Sequence, residues 1–199
     1  MIKQVDKKHH NELFRSMADG NFTETSDGGV LVRGQALIKG IYTHSVNGKD
    51  VRQDANMIPA AGILHILDVV FRNQTRYASW YIALYSGTTA VATSWTAGNF
   101  TATATEITSG TEGYSEATRQ VWTPSAASSG AINNIASPAT FTIATASTIT
   151  VRGMALLSDS AKGSTSGVLA SAVQLASART LSNGETFQAQ YQISLVDTD

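Results

Sequence analysis

Hydrophobic and polar residues alternate along much of the C-terminal half of the chain. The clearest run lies near the end and alternates strictly with polar or smaller residues: Phe187, Ala189, Tyr191, Ile193 and Leu195. A period of two is typical of a β-strand with one buried face. Turn residues such as Ser109-Gly110 and Asn183-Gly184 separate further short runs. Together they predict strands near 101–108, 116–123, 139–144, 147–157, 167–175 and 186–196.

One segment has a helical period instead. After Pro59, which suits the first turn of a helix, apolar residues follow the i, i+3, i+4, i+7, i+8 pattern: Ile63, Ile66, Leu67, Val70 and Phe71. The pattern predicts an amphipathic helix over about 59–72, with His65, Asp68 and Arg72 on its opposite side. The apolar run from Trp80 to Ser86 then predicts a strand buried on at least one face, with burial on both faces favoured. Upstream, Asn47-Gly48 fits the type I′ turn of a hairpin.

These elements predict a mainly β protein: an antiparallel β-sandwich or jelly roll with one short α-helix and an extended N-terminal arm. Ten of the 14 basic residues lie in residues 1–76, and the rest of the chain is poor in charge. We therefore divide the chain into an arm, residues 1–30, and a β-sandwich domain, residues 31–199. The arm is mostly polar and cannot bury much apolar surface by itself. It is either a disordered tail or a segment that orders on a neighbouring molecule, with Leu13, Phe14 and Phe22 as candidate anchors.

The composition excludes several classes of protein. Charged residues make up 15% of the chain and the formal net charge is −1, so no global field attracts nucleic acid or an anionic membrane. The chain has no cysteine, which excludes disulfide bonds and thiolate metal sites. Its first residues contain no apolar run resembling a secretory signal, and no apolar helical stretch is long enough to span a bilayer. We expect synthesis in the cytoplasm.

No catalytic or metal-binding motif is recognisable. The four histidines are His9, His10, His44 and His65. None has the spacing of a zinc protease motif, and none follows the candidate nucleophile Ser115. We therefore expect no enzyme activity, no cofactor and no metal.

Two charged residues of the β body are noteworthy because charges there are rare. Glu116 and Arg119 would point to opposite sides of a strand. They are either unrelated surface charges or a cross-link to a loop or to a neighbouring subunit.

Four sequence segments resemble a family of small virion proteins of tailed bacteriophages. They are the helix-to-strand segment NMIPAAGILHILDVVF with WYIALY, then YSEATRQVWT, SPATFTI, and a closing series that ends in LSNGETFQAQYQISL. The resemblance covers residues 56–195. It implies a structural part of the virion, and the fit to a capsid decoration (cement) protein is the interpretation we take forward.

That interpretation implies the major capsid protein as partner, a homo-oligomer (dimer or trimer), and a location on the capsid surface. Two alternatives remain open. A tail or tail-fibre structural protein would have similar composition. A carbohydrate-binding β-sandwich would use tryptophans for stacking on sugars, and Trp95 is the one predicted to lie in a loop.

Overall fold

The computed structural model describes residues 22–24, 30–32 and 36–197, and the side chains of residues 37–196. The strands are β1 (Phe22–Glu24), β2 (Val30–Val32), β3 (Ala36–Val46), β4 (Lys49–Ala55), β5 (Trp80–Tyr85), β6 (Gly113–Tyr114), β7 (Gln120–Trp122), β8 (Ala131–Asn133), β9 (Ala139–Ala144), β10 (Thr148–Leu157), β11 (Leu169–Ser182) and β12 (Thr186–Asp197). The helices among these residues are α1 (Ala60–Phe71) and α2 (Ala97–Ala104).

The chain divides into two compact units. One takes in the residues up to Ile38 and from Leu195 onward, and contains the antiparallel pair β1–β2. The other is Lys39–Ser194 and contains the remaining elements. Of the expected arm, Leu13 and Phe14 lie outside the described residues, whereas Phe22 lies in β1, where its backbone pairs with that of Val32.

The larger unit contains two antiparallel sheets with its main hydrophobic core between them, as the alternating sequence predicts. One sheet has the strand order β11-β10-β5-β7, and the other has the order β4-β3-β12-β9-β6, with β8 also paired to β12. The first sheet contributes inward-facing residues such as Leu84 and Met154, and the second contributes Phe141, Phe187 and Tyr191. The mainly β, antiparallel fold predicted from the sequence is confirmed.

A second, smaller core lies on the other face of the four-stranded sheet. Strand β5 contributes to both cores: Ile82 and Leu84 face the main core, whereas Ala83 and Tyr85 face the smaller one. The predicted burial of this strand on both faces is therefore confirmed. Helix α2 covers the smaller core and contributes buried Phe100.

Helix α2 occupies part of the segment predicted as a strand, 101–108, and that prediction was wrong. The helix starts with a capping box, in which the Thr96 hydroxyl accepts a hydrogen bond from the Asn99 N–H and the Asn99 side chain accepts one from the Thr96 N–H. Ala97, Phe100 and Ala104 then fall on one helical face and are buried. Alternating Thr and Ala after Phe100 imitate a strand, but the cap and this burial favour a helix.

The other strands predicted from the sequence differ from those of the structure mainly in length. The β3–β4 turn has positive φ at both Asn47 (51°) and Gly48 (69°), as a type I′ hairpin requires. Strands β9, β10 and β12 lie where alternation placed them, whereas the predicted strand 116–123 is reduced to Gln120–Trp122.

Candidate interaction surface

The described part of the chain offers no metal site and no membrane-spanning helix. It contains no group of three or more His, Cys, Asp or Glu side chains that could hold a metal ion. None of its helices has the length and hydrophobicity needed to cross a bilayer. The remaining candidates are the residues predicted from the sequence, two charged clusters, the surface grooves and the exposed apolar surface.

Arg119 is buried, with 1% of its surface exposed, and is bound inside its own chain. Its Nε donates to Glu106 Oε1 at 2.7 Å and its Nη2 donates to Glu106 Oε2 at 2.8 Å. Nη1 and Nη2 also donate to the backbone carbonyls of Asp159 and Ser164. We call these four residues the Arg119 cluster. It joins the segment after α2 to the loop between β10 and β11, so Arg119 is a cross-link to a loop and does not offer an exposed contact.

Glu116 does not pair with Arg119. Its two carboxylate oxygens accept hydrogen bonds from the backbone N–H of Thr142, at 3.0 and 3.1 Å. This half-buried carboxylate therefore attaches its loop to β9. Glu106, which the sequence analysis did not single out, is the true partner of Arg119. The partners are 13 positions apart in the sequence, so their spacing gave no signal for the pair.

Neither Trp95 nor Trp122 offers a stacking surface to a sugar. Trp95 lies in a loop as predicted, but it is 2% exposed and packs edge-on against Tyr85 and Phe100. Trp122 is also buried, and its indole N–H donates to Asn134 Oδ1 and to the Tyr191 carbonyl. Trp95 is therefore corrected from a candidate contact to a core residue, because the aromatic side chains around it fill the smaller core.

A second charged cluster joins the two sheets at one edge. Arg179 on β11 donates from Nε to His44 Nδ1 at 3.3 Å and from Nη1 to Asp50 Oδ2. Because Nδ1 accepts this bond, the neutral His44 ring carries its proton on Nε2, which donates to Asp54 Oδ2 at 3.2 Å. Burial, then the Arg179 charge, hold the pKa of His44 below its ordinary value. The cluster stabilises the sandwich edge. His44 also lines a groove there, but both of its ring nitrogens are hydrogen-bonded within the cluster.

No charged side chain lines the two grooves near this edge. One of about 210 Å³ is lined by Thr43, Ser45, Gln188 and Gln190, among others. A smaller one of about 140 Å³ lies beside it, between Gln53 and Ile135. In the larger groove, the Ser45 hydroxyl donates to Gln188 Oε1 at 3.2 Å and is not paired with the neighbouring His44.

Helix α1 presents the clearest candidate surface. Its outward side is apolar: Ile63 is 45% exposed, Leu64 60%, Leu67 46%, Val70 63% and Phe71 78%. We call these five side chains the α1 apolar face. At about 100° per residue they fall within an arc of roughly 120°. The sequence predicted this amphipathic helix, but much of its apolar stripe faces outward.

Gly62 explains why the apolar side faces outward. It is buried, and a Cβ at this position would lie 2.3 Å from the carbonyl oxygen of Ala170 on β11. The helix backbone therefore approaches the strand closely at Gly62, which fixes which side of α1 is turned inward. The Ala60 N–H also donates to the Thr93 carbonyl at 3.1 Å and secures the start of the helix. The α1 apolar face is thus a consequence of a defined backbone contact.

An aromatic group secures the chain after α1. The rings of His65, Tyr77 and Trp80 lie 5.2 to 5.7 Å apart, centroid to centroid. The contact attaches the inward side of α1 to the start of β5. His65, which the sequence placed on a polar side of the helix, is therefore a packing residue.

Comparison with known protein families gives a match. A family model described as Podophage GP4 fiber I protein gp80 matches residues 64–194. The match includes most of α1, all strands of the four-stranded sheet, and β6, β8, β9 and most of β12 of the other sheet, whereas β3 and β4 precede it. A search of curated proteins finds no match. The family match supports the resemblance to structural proteins of tailed phages, but not the specific assignment to capsid decoration.

Proposed function

The chain belongs to the Podophage GP4 fiber I protein gp80 family, and on this premise we propose that it is a structural subunit of a phage tail fibre. The observation that carries the proposal is the family match over residues 64–194, which is about two thirds of the chain. Its place is then in the virion, in the tail, and its partners are other tail proteins.

The physical character of the described residues supports a structural role. Two cores and two charged clusters cross-link the loops and sheets of the larger unit, as in the Arg119–Glu106 and Arg179–Asp50 pairs. Such internal bonding favours a rigid body that transmits load without local unfolding. The α1 apolar face supplies a contact surface that needs no cofactor. We propose that the chain has no catalytic role.

Capsid decoration, the first interpretation from the sequence, is now the second candidate. Both roles place the protein in the virion and both need a compact β domain, so composition and fold favour neither. The description of the family names a fibre, and this favours the alternative that the sequence left open. The major capsid protein stays an expected partner only under the capsid interpretation.

Locating the protein on intact virions tests the proposal. Gold-labelled antibodies against the chain should mark the tail region, and quantitative mass spectrometry should find far fewer copies than of the major capsid protein. Phage made without this gene should keep stable heads and lose a tail appendage, while particles complemented with the gene regain it. Labelling over the whole head, at a copy number near that of the capsid protein, would establish decoration and refute the fibre assignment.

A further inference from the structure

We propose that the α1 apolar face packs against the same face of a second copy of this chain. The contact is a homotypic helix–helix interface centred on Leu67. It goes beyond the proposed function, because it is a property of the isolated protein and would hold whether the virion carries the chain on a fibre or on a head.

The first argument is that the exposed face is fixed in place. Gly62 lies against the Ala170 carbonyl on β11, so α1 cannot rotate to bury its apolar side without separating backbone atoms that are in contact. Within the described residues, no side chain covers the outward side, and Phe71 at its end is 78% exposed. In this part of the chain, the fold thus leaves these apolar side chains in water, to be covered by another molecule or by the remaining residues of the chain.

The second argument is the size of the face. The five side chains expose on the order of 500 Å² together, comparable to the largest apolar patches of about 300–600 Å² on typical monomers, which are often functional. A standard protein–protein interface takes about 800 Å² from each partner. The α1 apolar face alone therefore supplies more than half of what a specific interface requires.

The third argument identifies the occupant. Leu64, Leu67 and Phe71 are spaced by three and then four residues, the spacing that packs one helix along another. Ile63 and Val70 widen the same seam on one side.

The charged side chains beside the α1 apolar face are consistent with a second copy of this chain as the partner. The nearest charged side chains, Asp68 and Arg72, bond to each other at 3.0 Å, so they are not left free to select an oppositely charged molecule. Because the α1 apolar face carries no charge, two copies of it can pack together without repulsion. In an isologous contact, the faces of both copies are buried at once.

Charge introduced at the seam tests the interface. We would measure sedimentation velocity of the full chain over a concentration series, for the wild type and for the variant Leu67→Lys with Val70→Lys. The matched control is Val51→Lys, because Val51 on the edge strand β4 is 64% exposed and Val70 is 63% exposed. We expect the wild type and the control to associate equally, and the seam variant to lose about thirtyfold or more in association constant.

Single cysteines test whether the partner is a like copy. The chain has no cysteine of its own, so Leu67→Cys introduces one thiol per molecule. In an isologous contact centred on Leu67, this residue lies close to its counterpart across the two-fold axis, and mild oxidation should yield a disulfide-linked dimer much faster than in Val51→Cys.

A wild type that stays monomeric at all concentrations would overturn the proposal. So would unchanged association of the seam variant, or equal cross-linking of the two cysteine variants. If deleting residues 1–21 converts a monomer into an associating form, the N-terminal residues occupy the face and the proposal is equally refuted. Because the experiment uses purified protein, its failure is separate from failure of the virion labelling.

Discussion

The Arg119 cluster and the α1 apolar face reverse the usual distribution of charged and apolar residues. The first encloses a fully charged pair in the protein interior, with both side chains at 0% exposure. The second holds five large apolar side chains in solvent. Each arrangement is unfavourable by residue type alone.

The two arrangements have different physical causes. Hydrogen-bonding partners stabilise the buried charges of the Arg119 cluster, and a backbone contact keeps the α1 apolar face exposed. Arg119 gives four hydrogen bonds, and Glu106 further accepts from the Thr101 hydroxyl and the Gly163 N–H. Desolvation of the two charges is thereby offset. At α1, the close approach of Gly62 to the Ala170 carbonyl fixes the orientation of the helix and leaves its apolar side facing outward. At these two places, hydrogen bonding of the polar groups and close packing of the backbone determine which side chains are buried, more than the hydrophobicity of the side chains does.

The largest expected effect comes from breaking the buried pair. Replacing Arg119 by Met leaves the Glu106 carboxylate buried without its counter-charge, so we expect the free energy of unfolding to fall by about 3–5 kcal/mol. Urea unfolding followed by tryptophan fluorescence measures it. The control is Arg72→Met, because Arg72 pairs with Asp68 on the surface and its loss should cost about 0.5 kcal/mol or less.

The double variant Arg119→Met with Glu106→Leu refines this prediction. Removing both charges should recover much of the loss, since no uncompensated charge remains. Equal instability of the single and double variants would mean that packing around Phe100, whose ring lies 6.0 Å from the guanidinium carbon, matters more than charge.

The next effect tests the backbone contact under α1. Gly62→Ala places a methyl group against the Ala170 carbonyl, and we expect a loss of about 1–3 kcal/mol in unfolding free energy as the helix shifts away. Gly98 in α2 is the matched control, because its nearest neighbour would lie at 3.5 Å and Ala is the better helix former. Gly98→Ala should therefore be neutral or stabilising by up to about 1 kcal/mol. A neutral Gly62→Ala would show that α1 is free to move.

The sequence predicts elements whose cause is local and misses features whose cause is a distant contact. Alternation in β9, β10 and β12 and the positive-φ turn at Asn47-Gly48 depend on neighbouring residues, and they were predicted well. The α2 segment was misread because Thr-Ala-Thr-Ala fits a strand, although Thr96 and Asn99 carry a visible capping signal.

The candidate site was less predictable. The α1 helix was predicted, but which of its sides faces β11 depends on the strand's backbone, and nothing near Gly62 in the sequence indicates it. Likewise Arg119 was noted for its rarity, whereas its partner Glu106 could be found only from the folded chain. The order of the sequence motifs was enough to infer a family of phage structural proteins. It was not enough to assign the chain to a fibre, because capsid and tail proteins share such β patterns.

A smaller effect concerns the second buried cluster and its response to pH. The pKa of His44 lies below its ordinary value of about 6.5 because of burial and the Arg179 charge, with Arg52 acting in the same direction and Asp54 opposing it. The unfolded chain therefore binds a proton more readily than the folded chain, and stability is lost as pH falls below about 6.5. We expect lower urea midpoints at pH 5.5 than at pH 7.5. Asp50, whose pKa is lowered by Arg52 and Arg179, stays ionised in this window.

His44→Gln separates this response from other titrations. The amide keeps a donor and an acceptor but cannot take up a proton, so the variant should lose most of the stability difference between the two pH values. An unchanged pH dependence in the variant would assign it to other groups, and the charged interior would then be insensitive to mild acid.

The smallest effect is expected at the outer end of the α1 apolar face. Phe71 contributes little to the monomer because most of its ring is in solvent, so Phe71→Ser should change the unfolding free energy of dilute protein by less than about 0.5 kcal/mol. At high concentration the wild type should gain stability, since association stabilises the folded form by mass action, and the variant should gain less. Thermal unfolding over a concentration series measures both limits. A large loss in dilute protein would mean that the ring is already covered within the chain, and the contrast between a buried charged cluster and an exposed apolar helix would not hold.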